Sequence, residues 1–238
     1  MNGHGKTAAE WVGALEALTL RNDLSCLTLS FFRDVFPEKG LLKKERAWCP
    51  HCFHDWKEKK RPIYEPLLWK MQEVKVCPDH KVRLVSICPS CRCQTAHLAA
   101  KARNGHCFRC DEWLGYPPAA KVSRSATWGR MTRATQIGGV LAKMQPGAEP
   151  PRQESICRFF DYVINHKAKG SVRGLGRLVN INHTYISDWR NGKYLPTMGA
   201  LMKVCRIFKI SLEQAIGLEL LPMEEQDEHG LRSLSNNN

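Results

Sequence analysis

The sequence has no apolar run near the roughly 20 residues needed to cross a bilayer. Its opening, "MNGHGKTAAEWVGALEALTL", lacks the basic start, apolar middle and small-residue cleavage site of a secretory signal. These absences predict a soluble, cytoplasmic protein with no membrane partner. Acidic residues are in short supply: 23 Asp and Glu face 36 Lys and Arg, for a formal charge of +13 and a pI near 9.4. That balance favours nucleic acid or another polyanion as partner. No internal repeat is evident, which argues against a solenoid or an array. Catalytic metal patterns are missing too. There is no HExxH, and no His-x-Glu ahead of a cysteine clip, so no catalytic residue is assigned and a nucleic-acid hydrolase or deaminase is disfavoured.

What the chain does have is cysteine. Of 11, eight fall between residues 49 and 110. In a reducing compartment such a cluster points to metal rather than disulfides. Cys26, Cys157 and Cys205 lie in apolar helical patterns and are expected to be small buried hydrophobes. The others include three of the clips Cys49-Pro-His-Cys52, Cys77-Pro-Asp-His80, Cys88-Pro-Ser-Cys91 and Cys107-Phe-Arg-Cys110 in full, and one half of the fourth. A two-residue gap lets the backbone turn so that both side chains meet one ion, and proline in the gap presets φ. The outer pairs enclose 24 and 15 residues, spacings that suit two tetrahedral structural zinc ions.

Three pairings satisfy these clips. Joining neighbours puts Cys49, Cys52, Cys77 and His80 on one zinc and Cys88, Cys91, Cys107 and Cys110 on the other. A cross-braced arrangement exchanges alternate clips, and a nested one places residues 77–91 on a single ion. The neighbour pairing is the simplest, and it makes "VCPDHKVRLVSICPSC" (76–91) the seam between two sites. Either site is then complete, whereas a catalytic zinc keeps a position open for water. Seven thiolates and two zinc ions together reduce the formal charge to about +10, still basic. Cys93, His51, His54, His97 and His106 are left over as exposed neighbours, with Cys93 able at most to replace Cys91.

Along the chain, Trp11, Leu15 and Leu18 have helical spacing, and a second helical pattern runs through Leu27, Phe31, Phe32 and Val35 to Pro37. Residues 46–115 are turn-rich, too short in their elements for a core of their own, with strand-like "VRLVSI" at 82–87. "PPAAKVSRS" (117–125) and "PGAEPPR" (146–152) read as linkers around an amphipathic helix bearing Trp128, Met131, Leu141 and Met144. From 153 the pattern is helical, with Ile156, Phe159, Phe160, Val163 and Ile164 on one face. The expected fold is mainly α with small zinc-ribbon or zinc-knuckle β elements. It comprises a helical segment 1–45, a tandem zinc module 46–116, a linker 117–152 with its helix, a helix-turn-helix domain 153–221, and a disordered tail 222–238.

Several of these residues carry a resemblance. "RAWCPHC" (46–52), "YEPLLW" (64–69), "CPDH" (77–80), "CPSC" (88–91) and "GHC…C" (105–110) resemble the zinc-binding core of the TniQ family, the target-site selectors of certain bacterial transposons; the likeness covers about residues 8–115. Many family members begin with an extra segment bearing a Glu-Ser motif that is not seen here, so a short variant, a fragment or a C-terminal half is expected. Read from the residues alone, Trp48, Tyr64 and Trp69 should pack over the small zinc sites, with stacking on a nucleobase as the alternative.

The later segment is the more densely basic, with 11 Lys and Arg against 4 acids over residues 152–217, compared with 19 against 13 over residues 1–117. Within it, "SVRGLGRLVNINHTYISDWRNGKYLP" (171–196) has the layout of a DNA-reading unit. Ser171 can cap a helix in which Gly176 permits close approach; Asn180 tolerates a left-handed turn and Ile181 plugs the core. Asn182 can cap a second helix whose Ile186 and Trp189 face inward while His183, Thr184, Ser187 and Asp188 face outward. This pattern resembles the Cro-type helix-turn-helix of phage repressors, and TniQ proteins also carry helix-turn-helix segments. The resemblance implies base contacts from His183, Thr184 and Asp188 and phosphate contacts from Asn182, Tyr185 and Asn191. Arg173, Arg177, Arg190 and Lys193 add positive charge nearby. Asp188 fits least well, since it would repel phosphates, and a helical bundle that binds protein is the plainer alternative.

The resulting expectation is a non-enzymatic DNA-binding target-selection adaptor with two structural zinc ions. By resemblance its partners are the transposon's AAA+ ATPase regulator and a CRISPR effector complex or attachment-site DNA. The alternative is a zinc-bearing helix-turn-helix transcriptional regulator, which would need a homodimer to read paired half-sites.

Overall fold

The computed structural model describes residues 3–94, 103–115 and 124–222, with the backbone alone for residues 124–128. Residues 117–123 of the expected linker, the tail from 223, His97 and the side chain of Trp128 lie outside the described residues. The helices are α1 (Lys6–Thr19), α2 (Pro50–Glu58), α3 (Leu67–Lys70), α4 (Arg124–Ala142), α5 (Gln153–Tyr162), α6 (Val172–Val179), α7 (His183–Arg190), α8 (Met198–Phe208) and α9 (Leu212–Ala215). Among the described residues β-structure is confined to isolated antiparallel bridges, including Trp48 with Val85 and Val76 with Arg83. The protein is mainly helical, and "VRLVSI" pairs at single points rather than as a strand in a sheet. Among the described residues no helix is long and apolar enough to cross a membrane.

The chain divides into two compact units, one of Lys39–Ala142 and the other of Gly3–Glu38 with residues 143–222. In the second unit α5 buries Ile156, Phe159 and Phe160, and a wider helical turn over Val163–Lys167 continues it, burying Val163 and Ile164. α5 packs on α7 and α9, and α6 packs on α7. Short polar caps start these helices. Ser171 accepts from the Gly174 N–H, Asn182 from that of Thr184 and Thr197 from that of Ala200, while Ser211 and Gln214 form a reciprocal capping box. The turn between α6 and α7 follows from two residues. Asn180 adopts a left-handed φ of 48°. Gly176 lets that turn fold back, and the Ile181 N–H donates to its carbonyl at 3.0 Å.

Two apolar patterns differ from their sequence reading. Residues 24–35 do not form one helix but two short turns, Leu24–Leu27 and Ser30–Phe32. The Thr28 hydroxyl bonds the Ser25 carbonyl and the Ser30 N–H, giving the backbone a local alternative to helix. Phe32, Val35 and Phe36 are nonetheless fully buried. In α1, Trp11, Leu15 and Leu18 are exposed and Ala8 is the buried residue. α4 buries Ala134, Ile137 and Val140, whereas Met131 and Leu141 are half-covered and Met144 is buried beyond its end. α4 packs on α3, and Arg133 pairs with Glu73 at 3.0 Å. Cys205 is buried as expected, but Cys26 and Cys157 are only half-buried.

A methyl group on Gly176 would lie 2.8 Å from the Ile181 carbonyl oxygen and 3.3 Å from the His183 nitrogen, both backbone atoms that cannot step aside. Gly176→Ala should therefore destabilise the second unit by about 1–3 kcal/mol despite alanine's better helix propensity. Urea unfolding followed by circular dichroism measures this, with bound zinc unchanged.

Candidate metal centres and nucleic-acid interface

The four clips converge as neighbours. Cys49, Cys52, Cys77 and His80 form one cluster and Cys88, Cys91, Cys107 and Cys110 another, with ligand atoms in each no more than 4.8 Å apart. Tetrahedral zinc with ordinary Zn–S and Zn–N lengths requires ligand separations of about 3.8 Å between sulfurs and about 3.6 Å from sulfur to nitrogen. In the first cluster Cys52 Sγ lies 3.6 Å from Cys77 Sγ, and His80 Nδ1 lies 3.7, 3.2 and 3.8 Å from Cys49, Cys52 and Cys77. In the second, the Cys88–Cys110 and Cys91–Cys107 separations are both 3.7 Å. The donors and spacings fit two zinc ions, one with three sulfurs and a histidine and one with four sulfurs.

Two backbone devices build these clusters. Cys49 stands at the position just before α2, Pro50 occupies the first helical position, and Cys52 follows one turn in; the first clip is a helix start rather than a free turn. The other three clips share one knuckle. The N–H groups of Cys77, Cys88 and Cys107 donate to the carbonyls of Val82, Cys93 and Glu112, each five residues on. Lys81, Arg92 and Asp111 return the favour by donating to the carbonyl of the first ligand, with left-handed φ of 58°, 56° and 56°. Glycine or asparagine would have advertised this conformation in the sequence. Lysine and arginine do not.

Around the ligands lies a core the sequence reading did not expect. Trp48, Phe53, Trp69, Trp113 and Leu114 are buried together with the ligands Cys49, Cys52, Cys77, Cys88 and Cys107 in one cluster. Trp48 exchanges both backbone hydrogen bonds with Val85 on the seam and donates its indole N–H to the Leu114 carbonyl at 3.1 Å. Arg46, only 4% exposed, pairs with Glu65 and donates to the His106 carbonyl at 2.9 Å. The two metal centres therefore share one interior.

Three neighbours of the ligands have more than the bystander place expected of them. His51 stacks on His80, with ring centroids 5.4 Å apart, and His106 packs edge-on against Trp113. Cys93 is half-buried, 3.2 Å from Cys91 Sγ and 3.4 Å from Cys107 Sγ, a fifth thiol beside the second cluster. His54 is exposed. The sequence reading missed Asp55, whose Oδ2 lies 3.1 Å from His80 Nε2. Its signal was position, one helical turn beyond Cys52 on α2. The hydrogen bond to His80 holds the Asp55 carboxyl below the usual carboxylate range, and the contact orients the imidazole so that Nδ1 faces the thiols.

In the other unit, Asn182, His183, Thr184 and Tyr185 at the start of α7 are exposed, as are Asn191, Lys193, Arg173 and Arg177, while Ser187 and Asp188 are half-exposed. Ile186 and Trp189 are buried. Arg190 pairs with Asp161 on α5 at 2.5 Å and is half-exposed. Asp188 lies 3.7 Å from Lys193 Nζ, and this offsets the charge that made it the poorest fit.

Residues 6–84 match the TniQ family model. The matched stretch is about a third of the chain and takes in α1, the first metal cluster and α2. No curated protein matches the chain.

Asp55→Asn should weaken zinc at the Cys49–His80 site by about 10- to 100-fold, measured by chelator competition. Cys107→Ser should lose one of two zinc ions per chain and Cys93→Ser should keep both, by native mass spectrometry. Cys77→Ser should unfold the zinc unit, because structural zinc supplies much of its folding free energy.

Proposed function

We propose that this chain is the DNA-binding target-selection adaptor of a bacterial transposon, joining target DNA or a targeting complex to the transposition ATPase. The zinc unit offers a rigid surface to the AAA+ ATPase regulator and to a CRISPR effector complex or attachment-site DNA. The α6–α7 unit serves as a Cro-type helix-turn-helix. Zinc is structural, held by Cys49, Cys52, Cys77 and His80 and by Cys88, Cys91, Cys107 and Cys110, and its coordination closes the fold without supplying catalysis.

The observation that carries the DNA reading is the exposed first turn of α7. Side-chain caps hold both α6 and α7, Trp189 and Ile186 lock α7 inward, and His183 and Thr184 are left to solvent. A side chain in that position reaches base edges when the helix lies in the major groove. Arg173 and Arg177 on α6, both exposed, supply the sequence-independent phosphate contacts. Asn182 and Asn191 flank α7 and Tyr185 rides on it, ring-stacked on Trp189 at 6.3 Å.

His183→Ala and Thr184→Ala should each relax site choice, by about 1–3 kcal/mol at one or two base pairs, while Arg177→Ala weakens binding evenly and lowers the salt slope by about one. Binding to a randomised duplex library at two salt concentrations separates the two effects. Equal losses on every sequence from all three variants would remove the base-reading role. Co-purification with the ATPase encoded beside it tests the adaptor role, and a folded, zinc-loaded chain that ignores that ATPase would refute it.

A further inference from the structure

In the zinc unit, an aromatic stack runs from α2 to a surface ring, Tyr64, that lies outside the buried cluster around the ligands. Lys60 adopts a left-handed φ of 50°, its N–H donating to the Lys57 carbonyl and that of Arg61 to the Trp56 carbonyl at 2.7 Å. The reversal ends the helix and brings the chain back across Trp56. Tyr64 then lies flat on the Trp56 ring, centroids 4.5 Å apart and planes 14° from parallel. Trp56 in turn lies on Trp69 at 5.7 Å and 16°, and buried Trp69 meets Phe53 edge-on. Three near-parallel rings thus run from the core to the surface, where Tyr64 is 52% exposed. Its inner face is covered by Trp56, so the open area is the outer face and the ring edge.

The surroundings choose the occupant. Residues 57–61, Lys-Glu-Lys-Lys-Arg, carry four positive charges and one negative, and all five are exposed. The nearby Glu65 is engaged by Arg46 and by Lys70, the latter at 3.7 Å, and so does not oppose an incoming anion. An apolar peptide would meet a rim of cations. A duplex hides its base faces in its own stack. An unpaired nucleotide offers both what the ring accepts, a π-face, and what the rim accepts, a phosphate.

We propose that Tyr64, backed by Trp56 and flanked by Lys59, Lys60 and Arg61, binds an unpaired base of a single-stranded nucleic acid. The stack is already assembled, so no side chain needs ordering on binding. This site lies in a different unit from α6 and α7, and it stands or falls independently of the helix-turn-helix reading.

The test is fluorescence anisotropy of the full, zinc-loaded chain with labelled 12-nucleotide oligo(dT), oligo(U) and a duplex of equal length. Tyr64→Ala should weaken one or both single strands by about 5- to 150-fold, Tyr64→Phe should bind within about twofold of the parent because it keeps the ring, and duplex binding should stay unchanged in both. Lys60→Glu with Arg61→Glu should weaken the same strands and flatten their salt dependence. The two single-strand arms show whether RNA or DNA is preferred. A parent chain that binds neither strand, a Tyr64→Ala variant with two zinc ions and undiminished binding, or equal losses for Ala and Phe would each overturn the proposal. Should Tyr64→Ala lose zinc, the paired charge reversal decides it: unchanged strand binding then counts as refutation.

Discussion

Metal coordination is the constraint on which the zinc unit rests. The described residues between 39 and 115 contain one helix of more than two turns and no sheet, so hydrogen bonding within regular elements cannot hold them. Eight ligands drawn from four short clips do so instead, each clip being a local backbone device and each ion a junction between two of them. The three knuckles show the trade. A left-handed lysine or arginine is unfavourable in isolation, yet here it closes the turn that aims the ligands, and the binding energy of zinc offsets it.

The apolar interior and the metal clusters are not separate layers. Trp48, Phe53, Trp69 and Trp113 pack against the buried ligand cysteines, and buried Arg46 pairs with Glu65 and donates to the carbonyl of His106, the residue before the ligand Cys107. Small cores of this kind are marginal without a staple. The shared interior also explains how a ring stack can begin at Trp69, in the core, and emerge as an exposed Tyr64: its inner members are immobilised by packing that the metal sites in turn require.

The other unit is governed by more familiar rules, and its sequence was correspondingly easier to read. Ser171, Gly176, Asn180 and Asn182 each perform the local task their residue type suggests, because caps, close approaches and left-handed turns depend on neighbours within a few residues. The same is true of the inward face of α7. The pairing of Arg190 with Asp161 could not be read locally, because Asp161 lies on α5, 29 residues earlier in the chain. The pattern from Leu27 to Pro37 was misread as one helix because periodicity counted its apolar positions and ignored serine and threonine hydroxyls competing for the backbone.

By itself, the sequence determined which residues could bind metal, that the gaps suit two closed tetrahedral sites, and where α6 and α7 begin and turn. These are short-range properties, encoded in spacing and residue type. Tertiary structure decided that the clips join as neighbours, that a fifth thiol, Cys93, stands beside the second cluster, and that Asp55 supports His80. It also decided which aromatic is left outside. Trp48 and Trp69 disappear into the core while Tyr64 stays at the surface, because burial is set by what packs on a ring from distant parts of the chain.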